Sequence, residues 1–393
     1  MKKNILKFLS VAMVAALCLT MSAVAFAANA TGTQQNPATA TIVKELQIPG
    51  GTTTPTASFS FTLASESVDA PVIADKTVSF TAEDHATGTG DVLKVYKTAD
   101  LFSAVVWPHA GEYVYTVKET ANTYAAGADE TLTYSQAEYK LTVVVVNGEN
   151  DGELYIKEIA AQLMKNDAGE TVTDGKVDPN PTEDEQGNPS VGGIRFVNTY
   201  VKGKNVNPDD KNPEDGMMRI EKVVGGDIGD KKTPYAFSVS AVNPSIVPAA
   251  DKAVKARVFD KATNTYGEEI VISENTEVKL AHNQTLVFMN LYAGATVSFK
   301  ETDATAIAKY EVSASVMNGH AAENTYNKTA VTETGITVSP VFEDKAVATV
   351  TNTLNYQNPT GVIIDNLPYV LLIAVALIGL AAYLIVRRRA SQN

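Results

Sequence analysis

Alternation at period two runs through the chain from about residue 31 to 355, and it leaves little room for anything except packed β-sheets. In Ala57–Leu63 the alanine, two phenylalanines and leucine share one parity, and serine and threonine take the other. Successive side chains on a strand face opposite ways, so such a run has one face to bury and one to wet. The same pattern recurs at Tyr113–Val117, Tyr139–Val146, Leu154–Ile159, Tyr235–Val242, Thr285–Met289, Thr296–Phe299 and Tyr310–Val316. Asn147-Gly148 and Asn318-Gly319 supply turns between them. Helical periodicity is scarce, and many short strands with polar turns predict an all-β chain built from β-sandwiches.

The strands also repeat. Ile42-Val43-Lys44-Glu45 matches Ile220-Glu221-Lys222-Val223, and Phe59 and Phe237 each lie 15 residues beyond the lysine. Val117-Lys118-Glu119-Thr120 matches Phe299-Lys300-Glu301-Thr302, and Tyr139 and Tyr310 each stand eight residues before an Asn-Gly. Phe196-Val197-Asn198-Thr199 matches Val350-Thr351-Asn352-Thr353. Landmarks in one order twice predict a duplicated domain, with copies at residues 31–201 and 216–355. The intervening 202–215 is polar, holds Pro208 and Pro213, and reads as a linker. In the first copy, Lys165–Gly193 is acidic and proline-rich and predicts an exposed loop.

Both ends look like addresses. Lys2, Lys3 and Lys7 precede an apolar run closing on Ala25-Phe26-Ala27, which predicts a secretory signal at 1–27, with Ala28-Asn29-Ala30 as a second cleavage frame. At the other end Tyr369–Val386 is 18 nearly uninterrupted apolar residues, followed by Arg387-Arg388-Arg389. That length fits a membrane span at 369–386, and the arginines put the tail 387–393 on the cytoplasmic side. The two ends hold six basic residues and one acidic residue, so the body is more acidic than the net charge of −13 indicates. Nucleic acid is a poor partner for such a surface. The single cysteine, Cys18, falls inside the signal and excludes disulfide or thiolate chemistry in the mature chain.

Ahead of the span lies Gln357-Asn358-Pro359-Thr360-Gly361. Pro-Thr-Gly, an apolar span and a basic tail, in that order, resemble the cell-wall sorting signals of Gram-positive surface proteins. The resemblance implies that a sortase cuts between Thr360 and Gly361 and passes the Thr360 carbonyl to an amine. Proline favours an extended Asn358, which suits a peptide lying in a groove. The motif at 357–361 lacks the usual Leu before proline, and this points to a pilus-type sortase.

Each copy therefore supplies a Lys near its first strand, a Glu ending a middle strand and an Asn on its last. Together with the flanking signals, this resembles the streptococcal-type backbone pilins with isopeptide-linkage domains, relatives of the immunoglobulin-like collagen-adhesin B modules. The resemblance covers nearly the whole chain and implies two tandem immunoglobulin-like sandwiches. It places the cross-linking pairs at Lys44 with Asn198 and Lys222 with Asn352, and the catalytic carboxyls at Glu119 and Glu301. Burial makes an amine easier to deprotonate and a carboxyl harder, so a buried Glu can stay protonated and polarise the Asn carboxamide. Held in place, such groups react with effective molarities of about 10⁵–10⁸ M. Ammonia leaves, one turnover occurs, and the chain is not an enzyme. Lys118 and Lys300, one residue away, should face outward.

The function expected from this resemblance is a structural subunit of a covalently polymerised, wall-anchored pilus. Its partners are then a pilus-type sortase, further copies of the chain, minor pilins, peptidoglycan and, before sorting, the membrane. Lys176, in the acidic loop that the second copy lacks, is the expected acceptor amine, with Lys165, Lys202 and Lys204 behind it. The competing reading is a monomeric wall-anchored adhesin, or a minor pilin, with the two modules as a stalk. No cofactor or metal is expected. His85, His109, His282 and His320 are scattered, Asp209-Asp210 and Glu183-Asp184-Glu185 lack calcium-loop spacing, and the glycines at 225–229 do not fit a phosphate loop.

Overall fold

The computed structural model describes residues 29–319, 321, 323–340, 345–356 and 361–390. The signal at 1–27 and the motif residues 357–360 lie outside them. Two β-sandwiches follow one another, each with its own core, and a C-terminal helix spans Gly361–Ala390. Every period-two run coincides with a strand, although Met289 and Tyr310 fall just outside theirs. Most strands extend the run by a residue or more: Ala57–Ser65, Gly111–Glu119, Glu138–Asn147 and Leu154–Lys165 in the first module, for example.

In each module the first and last strands lie side by side and parallel. Thr41–Pro49 pairs with Ile194–Asn205 so that Lys44 stands opposite Phe196, two residues before Asn198. Met218–Gly225 pairs with Ala346–Thr353 so that Lys222 stands opposite Val350, again two residues before Asn352. The facing sheet carries the glutamate strand. Gly111–Glu119 pairs Glu119 with Phe61, and Thr296–Glu301 pairs Glu301 with Phe237. Phe61 is thus the structural counterpart of Phe237. The matching 15-residue spacing that pointed to Phe59 is two residues out of register, one full side-chain period, so both choices face the core.

Parity explains how lysines enter these cores. Met218, Ile220, Lys222 and Val224 are the buried positions of a strict alternation, and the residues between them are half-buried. Lys44 shares its parity with Ile42, Leu46 and Ile48, all of them buried. The hydrophobic positions around it force the strand to turn this face inward, and the lysine goes with them.

Two segments depart from expectation. The polar 202–215 is not a free linker throughout, because Ile194–Asn205 runs past the first module and Gly203–Asn205 pairs with Asn290–Tyr292 of the second. Gly203 permits this contact, since a Cβ there would lie 2.4 Å from the Tyr292 ring. Val201, Val247 and Tyr292 form a small apolar cluster at this junction, and Asp91 accepts from the Ser245 N–H at 2.8 Å. Only the two short 3₁₀ turns at Pro208–Asp210 and Pro213–Asp215, capped by Asn207 and Asn212, match a connector. The expected loop at 165–193 likewise holds structure. Lys176–Val177 pairs with the edge of Leu154–Lys165, and Pro181–Glu183 with Pro189–Gly192 makes a small hairpin. Pro181 and Pro189 open the two hairpin strands, a position where the missing N–H is tolerated.

The helix Gly361–Ala390 contains a 20-residue candidate span, Tyr369–Arg388, in which an 18-residue window has a mean hydropathy of 2.7 and none of its residues buried in the protein. A helix of that length reaches across a bilayer, and its exposed apolar surface is what a lipid environment covers.

Candidate functional site

In each module the structure brings the predicted Lys, Glu and Asn together inside the core. Lys44, Asn198, Lys222, Glu301 and Asn352 are each 0% exposed, and the Glu119 side chain is equally closed to solvent. Lys44 Nζ donates to Glu119 Oε2 at 2.9 Å, and Asn198 Nδ2 donates to Glu119 Oε1 at 2.7 Å. The second module repeats this with Lys222 to Glu301 at 3.1 Å and Asn352 to Glu301 at 2.6 Å. One carboxyl therefore bridges an amine and an amide nitrogen in both modules. Aromatic faces close the other side: Lys44 Nζ sits 4.7 Å from the Phe59 ring centre, and Lys222 Nζ 4.9 Å from Tyr235 and 5.5 Å from Phe237.

These surroundings disfavour charge. Burial lowers the Lys44 amine from 10.5 to about 8, against the pull of Glu119 to keep it protonated. Lys222 is lowered to about 8 for the same reason, with Glu301 opposing. Burial also raises Glu119, although Lys44 and Asn198 both favour its ionised form. Moving one proton from amine to carboxyl leaves two neutral groups, which an apolar cavity accommodates better than an ion pair.

A prediction follows for the unlinked first module. In Asn198→Ala the amine has no acyl partner, so Lys44 persists. Its folded value near 8 lies below the unfolded 10.5, so the unfolded chain binds more protons between those limits. The penalty is complete below pH 8 and is relieved as pH rises toward 10.5. Stability should therefore increase over that window by a few kcal/mol, relative to Lys44→Met/Asn198→Ala. Denaturant midpoints that move in parallel for both variants would count against a buried amine. Glu119 acts in the opposite sense at lower pH, where its raised value makes stability fall as pH climbs from 4.5.

The carboxamide orientation differs from expectation. Glu119 was expected to polarise the Asn198 carbonyl, yet it faces the amide nitrogen. The carbonyl accepts instead from the Ser135 backbone N–H at 2.7 Å. A backbone N–H can only donate, so it fixes which end of the amide is oxygen. Sequence reading missed Ser135 and also Asp167, which accepts from Ser135 Oγ at 2.6 Å and from the Val197 N–H at 2.8 Å. Asp167 sits in the segment expected to be a solvated acidic loop, and no local pattern marks it for the interior.

The remaining predicted residues fall elsewhere. Lys118 is exposed and pairs with Glu138 at 3.0 Å, as alternation requires. Lys300 is half-buried. Lys176 is exposed, but it lies on a short strand and not in a flexible loop. Among the reserves, Lys165 pairs with Glu138 at 3.2 Å, Lys202 with Glu130 at 3.8 Å and Lys204 with Asp129 at 3.9 Å. Gly361 opens the terminal helix, and Pro359 and Thr360 are outside the described residues.

Comparison with known proteins divides the chain as the fold does. Residues 40–201 match the Spy0128-like isopeptide containing domain (FctA), and residues 216–335 match a domain of unknown function (DUF7601). Among curated proteins none matches. Solved structures similar to the chain include the major pilin from Streptococcus pyogenes, at 18% identity and a TM-score of 0.34, covering 82% of this chain and 100% of that one. Another is the major pilin protein T-13 of S. pyogenes serotype GAS131465, at 16% identity and a TM-score of 0.32, covering 84% and 99%. The pilus-presented adhesin Spy0125 (Cpa) is similar at 11% identity and a TM-score of 0.25, covering 81% and 100%. Residues 40–201 thus carry the pattern of the Spy0128-like isopeptide containing domain, and that match supports a pilin of the isopeptide-linkage type.

Proposed function

We propose that the chain is a structural subunit of a covalent, wall-anchored pilus, and that each module closes a Lys–Asn amide on folding. The observation that carries this reading is the pair of dry Lys–Glu–Asn clusters in one register. Solvent-exposed lysines would need no such burial, and one cluster alone could be an accident of packing.

The bond-forming step balances within each cluster. The neutral Lys44 Nζ attacks Asn198 Cγ, and the electrons of the C=O bond move to Oδ1. Glu119, neutral with the amine's proton carried on Oε1, gives that proton to Nδ2 while its Oε2 takes one from the attacking nitrogen, so the carboxyl ends protonated as it began. The C–Nδ2 bond breaks, ammonia leaves, and an amide joins the two side chains. Lys222, Glu301 and Asn352 take the same roles. Each cluster turns over once, so the protein is its own substrate and not an enzyme.

Assembly rests on the ends. A pilus-type sortase cleaves after Thr360 and transfers its carbonyl to a lysine of the next copy, for which Lys176 is the candidate by exposure; minor pilins and peptidoglycan are the other acceptors. Until then the apolar helix retains the chain in the membrane. In wall extracts of the native host, a high-molecular-weight ladder on a denaturing gel should collapse in Lys176→Ala and persist in Lys118→Ala. Thr360→Ala should leave the protein wholly in the membrane fraction. A ladder untouched by Lys176→Ala moves the acceptor elsewhere, and a wild type without any ladder favours the monomeric adhesin.

A further inference from the structure

The two clusters share a carboxyl bridge but differ at the carbonyl. In the first module Asn198 Oδ1 accepts the Ser135 N–H, and Asp167 ties that loop down by accepting from Ser135 Oγ and from the Val197 N–H beside Asn198. Asp167 thus holds both the donor and the strand that presents the acceptor. In the second module Asn352 Oδ1 is buried with no hydrogen-bond partner among the described residues. The reason is local. Counting back four residues from Tyr139 reaches Ser135, and four from Tyr310 reaches Ala306. Ala306 lies in the short helix Ala304–Lys309, where its N–H is taken by the Asp303 cap at 2.9 Å. The loop that offers a donor in one module is a helix turn in the other.

Attack on an amide carbonyl places negative charge on its oxygen, and a preorganised backbone N–H stabilises that charge in a dry site. Building on the isopeptide reading above, we propose that the first module closes its bond faster than the second, because the Ser135 N–H serves as an oxyanion donor with Asp167 as its positioning residue. Asp167 touches none of the reacting atoms.

The test follows both bonds in one molecule. Full-length chain recovered unfolded from inclusion bodies is diluted into detergent, quenched with acid at intervals and digested, and the two cross-linked peptide pairs are quantified. Trp107, the sole tryptophan, is packed in the first core and reports by fluorescence when that module has folded. The Lys44–Asn198 pair should form roughly ten times faster than Lys222–Asn352, or more, since one oxyanion donor is worth about 10²–10³ in rate. Asp167→Ala should slow the first bond by roughly tenfold and leave the second unchanged. Asp167→Asn keeps an oxygen to accept both hydrogen bonds and should restore most of the rate, which a loss through misfolding would not predict. Equal rates in the wild type overturn the proposal, as does an Asp167→Asn chain as slow as Asp167→Ala after the fluorescence change is complete. If neither cross-linked peptide ever forms, the isopeptide reading itself fails, and this proposal falls with it.

Discussion

Residues 31–355, produced in a cytosolic host, should weigh less than their sequence mass by two molecules of ammonia. One loss comes from each cluster, since nothing beyond the Lys, Glu and Asn already in place is consumed. Glu119→Ala should restore one ammonia and Glu301→Ala the other. The carboxyl is the group within reach of both the amine and the amide nitrogen in its module, at 2.6–3.1 Å. Without it the proton must leave a buried amine unaided, and removing well-placed acid–base help ordinarily costs about 10²–10⁴ in rate. Because the modules have separate cores, each substitution should act on its own side alone. Tandem mass spectrometry would place the links at Lys44–Asn198 and Lys222–Asn352. An unmodified wild-type mass would remove the mechanism proposed here.

Thermal unfolding should show how much each link stabilises its module. Lys44 lies 154 residues before Asn198, and Lys222 lies 130 residues before Asn352. Closing loops of that size lowers unfolded-state entropy by an amount worth about 5 kcal/mol each, on the model used for disulfides and without strain. For modules of this size that is roughly 10–20 °C in Tm. Asn198→Ala should therefore lower the melting temperature of the first module by that much and leave the second in place, splitting the calorimetric trace. Glu119→Ala should cost more still, because it also strands a buried amine without its partner, at about 3–5 kcal/mol. A melting curve that Asn198→Ala leaves unchanged would argue that no link had formed. The benefit to a fibre under tension is topological. First and last strands are parallel neighbours in one sheet, and tying them together removes the extension that pulling at the two ends would otherwise release.

Much of this architecture was legible in the chain. The period-two runs specify strands because parity decides which face each side chain meets, and one face in these runs is apolar throughout. Repeated landmarks located Lys44, Glu119 and Asn198, and Lys222, Glu301 and Asn352, and the structure brings each set together. The parity of Lys222 with Met218, Ile220 and Val224 already implied that it faces inward. The apolar stretch before Arg387 is a helix for the same elementary reason: length and composition alone suit it to a bilayer.

Tertiary structure decided the rest. That Lys44 lies opposite Phe196 and reaches Glu119 depends on a parallel register and a facing sheet, and both are set by contacts between residues far apart in sequence. The pairing of Gly203–Asn205 with Asn290–Tyr292 turned an expected linker into a continuing strand, because a short segment of the second module adds to the end of the first module's sheet and supplies backbone partners to a polar run. Asp167 and Ser135 were invisible beforehand for a related reason. An acidic residue in a polar turn normally faces water, and only the close approach of that turn to the Asn198 strand gives Asp167 two donors to accept in place of solvent. Sequence determined which side chains face inward; the packing of distant strands determined which of them meet.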